Sequence, residues 1–423
     1  MFYKETNFRE TPIGRIPKDW AITKLESICE KVRAGGTPLT SKKEYWNGDL
    51  PFVKIEDITL AGKYLTETQS FISEEGLNNS SAWLVPENSL LFAMYGSMGE
   101  VAINKIPVTT NQAILGIIPK ERDDIEFLYY WFSFFKPRWK KYAKPTTQAN
   151  LTAEILRNSL IPLPSYNERK AIAEVLSVVD SAIELVDKII WKTERLKKAL
   201  MQTLLTRGIG HKEFKETEIG KIPKTWQIMD ASKITVFIKD GTHTPPKRVE
   251  NGIPLLSAQN IVDGKIVRTD EDTYITEDDY WKIHSKYEIQ KNDVLLTIVG
   301  TIGNSAVVDV DYKFTLQRSV AIFRPKLEIV EPRFLNYVFQ SNQFQRQLYG
   351  HSKLTTQGGV YLKELSKLKI PVPPLSEQRR ISDILFCIDK KLELEKKGKA
   401  RLEKIKRSLM DLLLTGKIRV KVD

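Results

Sequence analysis

Two loops carry the residue types that hold phosphate. Lys31-Val-Arg-Ala-Gly-Gly-Thr-Pro38, followed by Lys42 and Lys43, sets Lys31, Arg33 and two further lysines beside Gly36 and Thr37. Lys239-Asp-Gly-Thr-His-Thr-Pro-Pro-Lys-Arg248 occupies the matching place later in the chain, with Lys239, His243, Thr244, Lys247 and Arg248. Cations beside glycine-bared backbone amides are an ordinary means of gripping a nucleic-acid backbone. Base reading is the second chemistry on offer: Asn111-Gln112 and Gln317-Arg318 stand 206 residues apart (317 − 111). Asn and Gln can pair with adenine in two places and Arg with guanine, so unlike residues at matched positions would select unlike bases. Glycine pairs in Tyr95-Gly-Ser97-Met-Gly99 and Val299-Gly-Thr301-Ile-Gly303 follow strand-like runs and would let a backbone approach a phosphate closely. A last polar stretch holds Tyr142, Lys144, Thr146 and Gln148, against Tyr349, His351, Lys353, Thr355 and Gln357. Any one of these is equally a solvated or tight turn, or an amide bracing a turn. Their recurrence in pairs is what favours binding.

Catalytic signatures are missing from the sequence. It has no Gly-rich phosphate loop ending in Gly-Lys-Ser/Thr, no His-Glu-x-x-His, no Gly-x-Ser-x-Gly, no Gly-x-Gly-x-x-Gly and no Asn/Asp-Pro-Pro-Tyr/Phe. The four histidines, His211, His243, His284 and His351, show no metal-ligand spacing to one another or to a cysteine, so no metal site is expected. Asp311-Tyr-Lys313 resembles the tail of a nuclease motif without its acidic partner and reads as a solvated turn. Cys29 and Cys387 fall at unmatched places, so both are expected as free thiols, with Cys387 packed in a core.

The elements that must position these residues come twice. Glu10-Thr-Pro-Ile-Gly-Arg-Ile-Pro-Lys-Asp-Trp20 returns as Glu216-Thr-Glu-Ile-Gly-Lys-Ile-Pro-Lys-Thr-Trp226, identical at eight of eleven positions. Thr146-Thr-Gln148 and Ile161-Pro-Leu-Pro164 return as Thr355-Thr-Gln357 and Ile370-Pro-Val-Pro373. A period near 206 residues is a domain plus a connector, too long for a solenoid repeat. Within each copy, β-rich runs such as 89–95 and 113–118, answered by 293–299 and 319–323, mix with helical patches at 125–132 and 332–339. The expected fold class is α+β, two similar globular units of mixed or antiparallel sheet: residues 1–164 and 209–373.

Between and after them the pattern turns helical. Ile172, Leu176, Val179, Ile183, Val186 and Ile190 alternate spacings of four and three, the seam of a coiled coil. Ile381, Leu385, Ile388 and Leu392 open a second seam, which Glu395 and Lys399 interrupt before Leu402 and Leu409 resume it. Asn167 and Ser376 are the expected N-caps, and Gly208 and Gly416 the stops. Spacers at 165–208 and 374–423, each helical for about 38 residues or roughly 57 Å, are expected to pack as an antiparallel coiled coil. One such helix spans at most about 17 base pairs.

Composition agrees with a polyanionic partner. Lys and Arg outnumber Asp and Glu by 65 to 53, a formal charge of +12, and 41% hydrophobic content is enough for several cores. No apolar run approaches a membrane span and the first ten residues carry no signal region, so a cytoplasmic protein without membrane contact is expected.

Ile-Gly-x-Ile-Pro-x-x-Trp opening each unit, Gly-Ser-Met-Gly or Gly-Thr-Ile-Gly after a strand, and Pro-Leu-Pro-Ser-Tyr-Asn-Glu-Arg or Pro-Pro-Leu-Ser-Glu-Gln-Arg-Arg before a heptad helix together resemble the specificity subunit of type I restriction-modification enzymes. The similarity runs over the whole chain, twice. It implies two target recognition domains, each reading half of a split, asymmetric double-stranded DNA site, with the helices as spacers that help dock two methyltransferase subunits. Restriction and translocase subunits would join for cleavage. S-adenosylmethionine, ATP and magnesium would be used by those partners, leaving this chain a non-catalytic component without a cofactor. The first spacer departs from the family's Glu-Gln helix start, with Glu168-Arg169 where the second has Glu377-Gln378. The alternatives are a coiled-coil scaffold that never reads DNA, or a nuclease or methyltransferase acting alone.

Overall fold

The computed structural model describes residues 2–142, 151–244, 246–352 and 359–422. Two units form, Met1–Asp187 with Lys397–Asp423, and Lys188–Lys396. Each long helix therefore contributes one half to each unit.

In the first unit a five-stranded sheet runs in the order Cys29–Ala34, Ile114–Pro119, Leu90–Ala93, Val101–Asn104, Tyr64–Leu65, antiparallel except at its last pair. Its central strands are apolar without a break and wholly buried, as a sheet covered on both faces requires. The two-residue pleat sorts them: Leu90 and Phe92 enter one core with Tyr130, Trp131 and Phe132 of the helix Asp124–Phe135, while Leu91 enters another with Val85 and Ile114. The second unit repeats this with four strands, Thr235–Asp240, Val320–Pro325, Val294–Thr297 and Ser305–Val307. Val294 and Leu296 there join Phe334 and Phe339 of the helix Pro332–Gln340, and Leu295 joins Leu256 and Ile322. A smaller three-stranded sheet flanks each main one. Mixed sheets in an α+β frame are what the sequence predicts.

The repeated motifs close each unit onto a helix start. Ala21–Lys24 pairs with Leu160–Leu163, and Gln227–Asp230 with Lys369–Val372. The indole N–H of Trp20 donates to Glu168 Oε2 at 3.2 Å, and that of Trp226 to Glu377 Oε2 at 3.1 Å. Glu168 also receives the Arg419 guanidinium at 2.5 and 2.7 Å, whereas Glu377 receives His211 Nε2 and the Ile209 N–H, both at 2.9 Å. The departure at Arg169 is matched by a change in its partner. Gln378 accepts from the Glu331 backbone N–H at 2.8 Å, but Arg169 forms a two-point pair with the Asp124 carboxylate at 2.6 and 3.0 Å. Asp124 and Glu331 hold equivalent places, so the buried Arg is neutralised where it stands.

The long helices run Tyr166–Arg207 and Leu375–Leu414. Both expected N-caps lie inside them. Ser165 Oγ accepts the Glu168 N–H at 3.3 Å, and the Pro374 carbonyl takes the first bonds of the second helix, because each chain turns into helix straight after its proline-bearing strand. Gly208 and Gly416 stop the helices with φ of 64° and 67°. Within the first unit Asp180 pairs with Lys406 and Asp187 with Lys399, each at 2.6 Å, an antiparallel register. Lys197 with Asp389 at 2.6 Å and Glu194 with Lys396 at 2.9 Å give the same register in the second. Of the seam residues, Ile172, Leu176, Ile381, Leu385 and Leu392 are buried, whereas Val179, Ile183, Val186, Ile190, Ile388, Leu402 and Leu409 are half-buried. Ile172 and Leu176 join the first globular core and Ile381 and Leu385 the second, so the seam is deepest where it doubles as domain core. Lys399 interrupts the apolar pattern because it pairs across to Asp187.

Cys387 is exposed, contrary to the core position expected from its apolar neighbours. Leu385 and the half-buried seam residue Ile388 face inward, with Ile384 and Phe386 more than a third exposed on the helix's other sides. Asp311–Lys313 is an exposed bend.

Candidate nucleic-acid interface

Strand pairing brings three of the sequence-marked segments to one end of the main sheet. Ala34 lies opposite Leu115, and Ile114 opposite Ala93, so the chain after Ala34, before Ile114 and after Ala93 emerges from adjacent strands. The same geometry holds for Asp240 opposite Ala321 and Thr297 opposite Val320. Backbone bonds lock the loops together identically. Gly35 N–H donates to the Ile114 carbonyl at 3.0 Å and Gly36 N–H to Thr110 at 2.9 Å; Gly241 does so to Val320 at 3.1 Å and Thr242 to Leu316 at 2.8 Å. A Cβ on Gly35 would overlap the Thr110 carbonyl oxygen, and one on Gly241 that of Leu316, so both copies need glycine for this close approach. The third loop closes alike, with Gly99 N–H on the Ala93 carbonyl and Gly303 N–H on that of Thr297, each at 2.9 Å.

Different side chains stand on this shared frame. In the first unit the Lys31 ammonium lies 4.3 Å from the centre of the Trp83 ring and the Arg33 guanidinium 5.8 Å from it, both cations exposed and ordered by the indole. Thr37 hydrogen-bonds to Gln112, which is itself exposed, and Asn111 accepts the Ala113 N–H at 3.0 Å, bracing the turn. Tyr95 is half-buried; burial pushes its phenol up while a hydrogen bond with Gln112 acts the other way. Ser97 is half-buried in the glycine turn. In the second unit Lys239 sits 4.1 Å from the centre of the Tyr287 ring, at the position matching Arg33. His243 Nε2 lies 2.8 Å from Asp240, and Thr244, Lys247, Arg248, Thr301 and Arg318 are exposed, while Gln317 is half-buried.

The remaining candidates lie on other segments. Lys42 and Lys43 belong to a separate turn at Lys43–Tyr45, where Lys42 Nζ donates to the Tyr45 hydroxyl at 3.0 Å. His351 faces Glu364 at 3.5 Å. Lys144, Thr146, Gln148, Lys353, Thr355 and Gln357 lie outside the described residues. Trp83 and Tyr287 are the residues that sequence reading missed, since each platform comes from a segment remote from the cation it holds. Among the described residues no group of His, Cys, Asp and Glu could hold a metal ion.

Comparison with known proteins places this frame. The type I restriction modification DNA specificity domain matches residues 17–195 and again 223–404. The chain is 31% identical over 435 residues to the Type I restriction enzyme MjaVIII specificity subunit of Methanocaldococcus jannaschii, covering all of this chain and 98% of that one. It is 25% identical to the EcoBI specificity subunit of Escherichia coli, over 95% of this chain and 87% of that one. In fold it is similar to the S subunit of a type I restriction-modification system from M. genitalium, with a TM-score of 0.58 at 17% identity over 98% of this chain and 100% of that one. With two matched domains on a duplicated scaffold, the chain belongs to the type I restriction-modification specificity subunits, a DNA-recognition component rather than a catalytic one.

Proposed function

We propose that the loop cluster of each unit reads one half of an asymmetric, bipartite duplex target, and that the paired helices receive two methyltransferase subunits, which restriction and translocase subunits join. The carrying observation is a backbone frame repeated bond for bond under unlike residues: Gln112 against Arg318, Asn111 against Gln317 and Arg33 against Lys239. A common frame docks alike on a duplex, and unlike side chains select unlike bases. The wider set of contacts proposed is the loop residues named above, including those on the segments 144–148 and 353–357.

Partner docking is supported by apolar side chains left uncovered on the helices, among them Val178, Leu185, Trp191, Leu196, Leu394 and Ile405. S-adenosylmethionine, ATP and magnesium belong to the partner subunits in this reading. Co-expression with the methyltransferase, followed by single-molecule sequencing of the methylated DNA, tests it. The expected motif is split into two unlike halves separated by less than about 17 base pairs, the reach of one spacer helix. A continuous or palindromic motif would refute the division between units, and absence of salt-dependent duplex binding would leave only the scaffold reading.

A further inference from the structure

Beside the glycine turn of each unit lies a helical segment of which the loop arguments use only Tyr349 and His351 of the second unit. In the first unit it is Lys136–Lys141, with four cations in six residues and no acid. The position where a Gly99 side chain would start lies 3.0 Å from Trp139 Cδ1 and 3.1 Å from Lys136 Cγ, so the segment forms a wall of the loop cluster. Trp139 fixes it: the ring is buried among Phe92, Phe132, Phe135 and Tyr142, at centroid distances of 5.5, 5.7, 4.9 and 6.0 Å. Of its cations, Lys136 is paired with Glu100, and Arg138 lies half-buried 4.8 Å over the Phe134 ring. Lys140 and Lys141 are exposed and have no ion pair with a described residue.

The second unit builds the same wall from Asn342–Ser352. Gln345 Nε2 donates to the Gly303 carbonyl at 2.8 Å, Tyr349 Oη to that of Ile302 at 2.9 Å, and Phe344 stacks on Phe339 at 4.6 Å as Trp139 does on Phe132. The wall is equivalent in place and opposite in character. From 342 to 350 it carries one cation, the exposed Arg346, beside an open cavity of about 500 Å³ lined also by Asn342 and Gln345.

We propose that these walls are a further DNA-contacting element of both units, and that Lys140 and Lys141 make the first unit the one anchored through phosphates. The inference rests on the DNA-recognition reading above. Buried Trp139 fixes a segment that carries two exposed ammonium groups, neither ion-paired to a described residue, beside a loop cluster that already presents Lys31 and Arg33. Such contacts release counterions and carry no sequence information.

The test uses the full chain reconstituted with its methyltransferase, and salt titration of binding to two labelled duplexes, one carrying the mapped motif and one of equal composition without it. Lys140→Gln/Lys141→Gln should lower the slope of log affinity against log salt by about 1.8, at about 0.9 per phosphate contact, on both duplexes alike. R346Q should lower it by no more than about 0.9. Thermal melting of the variants should match the parent, since all three side chains are exposed. An unchanged slope in the double variant, a loss confined to the motif duplex, or a larger loss in R346Q would each overturn the proposal. A parent complex that binds neither duplex in a salt-dependent way would overturn the DNA-recognition reading itself.

Discussion

The indoles of Trp20 and Trp226 donate to the same carboxylate of two helix starts, but the groups completing each carboxylate differ. Glu168 is 2% exposed and depends on Arg419, which also holds Asp19 at 2.8 and 3.0 Å. Replacing Arg419 with Ala would leave a buried carboxylate with one neutral donor, a change worth about 3–5 kcal/mol; urea unfolding measures it. The Arg419 hydrogen bond holds the Asp19 carboxyl below its usual range. A depressed folded pKa means the stabilisation is complete above the unfolded value, near pH 4, and fades as pH falls through the folded one. Melting of the parent at successively lower pH should therefore show this loss, and Arg419→Ala should lack it. The cysteines give a second residue-scale prediction. Burial pushes the Cys29 thiol up to about 12, while Cys387 is exposed. A thiol reagent at pH 8 should label one cysteine per native chain and two after unfolding.

Domain and helices are joined by an element that occurs twice. Tyr130 Oη donates to Asp180 at 2.7 Å and Asp180 pairs with Lys406; Tyr337 Oη donates to Asp389 at 2.8 Å and Asp389 pairs with Lys197. Each triad takes its tyrosine from the globular part, its aspartate from one long helix and its lysine from the other. Burial and the adjacent aspartate push the Tyr130 phenol well above its ordinary value, so it stays a donor at any working pH. Asp180→Ala should cost about 1–3 kcal/mol by leaving the half-buried Lys406 ammonium without its carboxylate and the Tyr130 O–H without its acceptor, with Asp389→Ala alike; the loss should appear in denaturant midpoints. None of these residues stood out in the sequence, because their partners lie 50 or more positions away and their charges look like a solvated helix face. The seam was legible there, since an apolar period of 3.5 needs no partner to be seen.

At the scale of the molecule, the docking reading rests on large apolar side chains that the fold leaves bare. Trp191 is 55% exposed, with the Arg195 guanidinium 4.6 Å over its ring, and it is the largest of them. Trp191→Ala should weaken capture of the methyltransferase tenfold or more, the usual effect of losing an aromatic anchor worth about 2 kcal/mol, without lowering the melting temperature. Co-purification from a shared expression host reads this directly. Equal capture by the variant would move the docking face elsewhere.

Sequence alone determined that this protein is two copies of one α+β unit joined through heptad helices, because an identical opening motif and a hydrophobic period are local facts of the chain. It also marked the loops around Gly36, Asn111 and Gly99, since glycine beside cations and amides is visible at short range. Tertiary structure decided which of those loops meet: strand register sets them at one sheet end, ties Asn111 into its own turn and gives Lys42 and His351 partners in Tyr45 and Glu364. It alone supplied Trp83 and Tyr287 beneath the cations, and Asp124 beneath Arg169, because cation–ring and buried ion pairs join residues that folding brings close and chain order keeps apart.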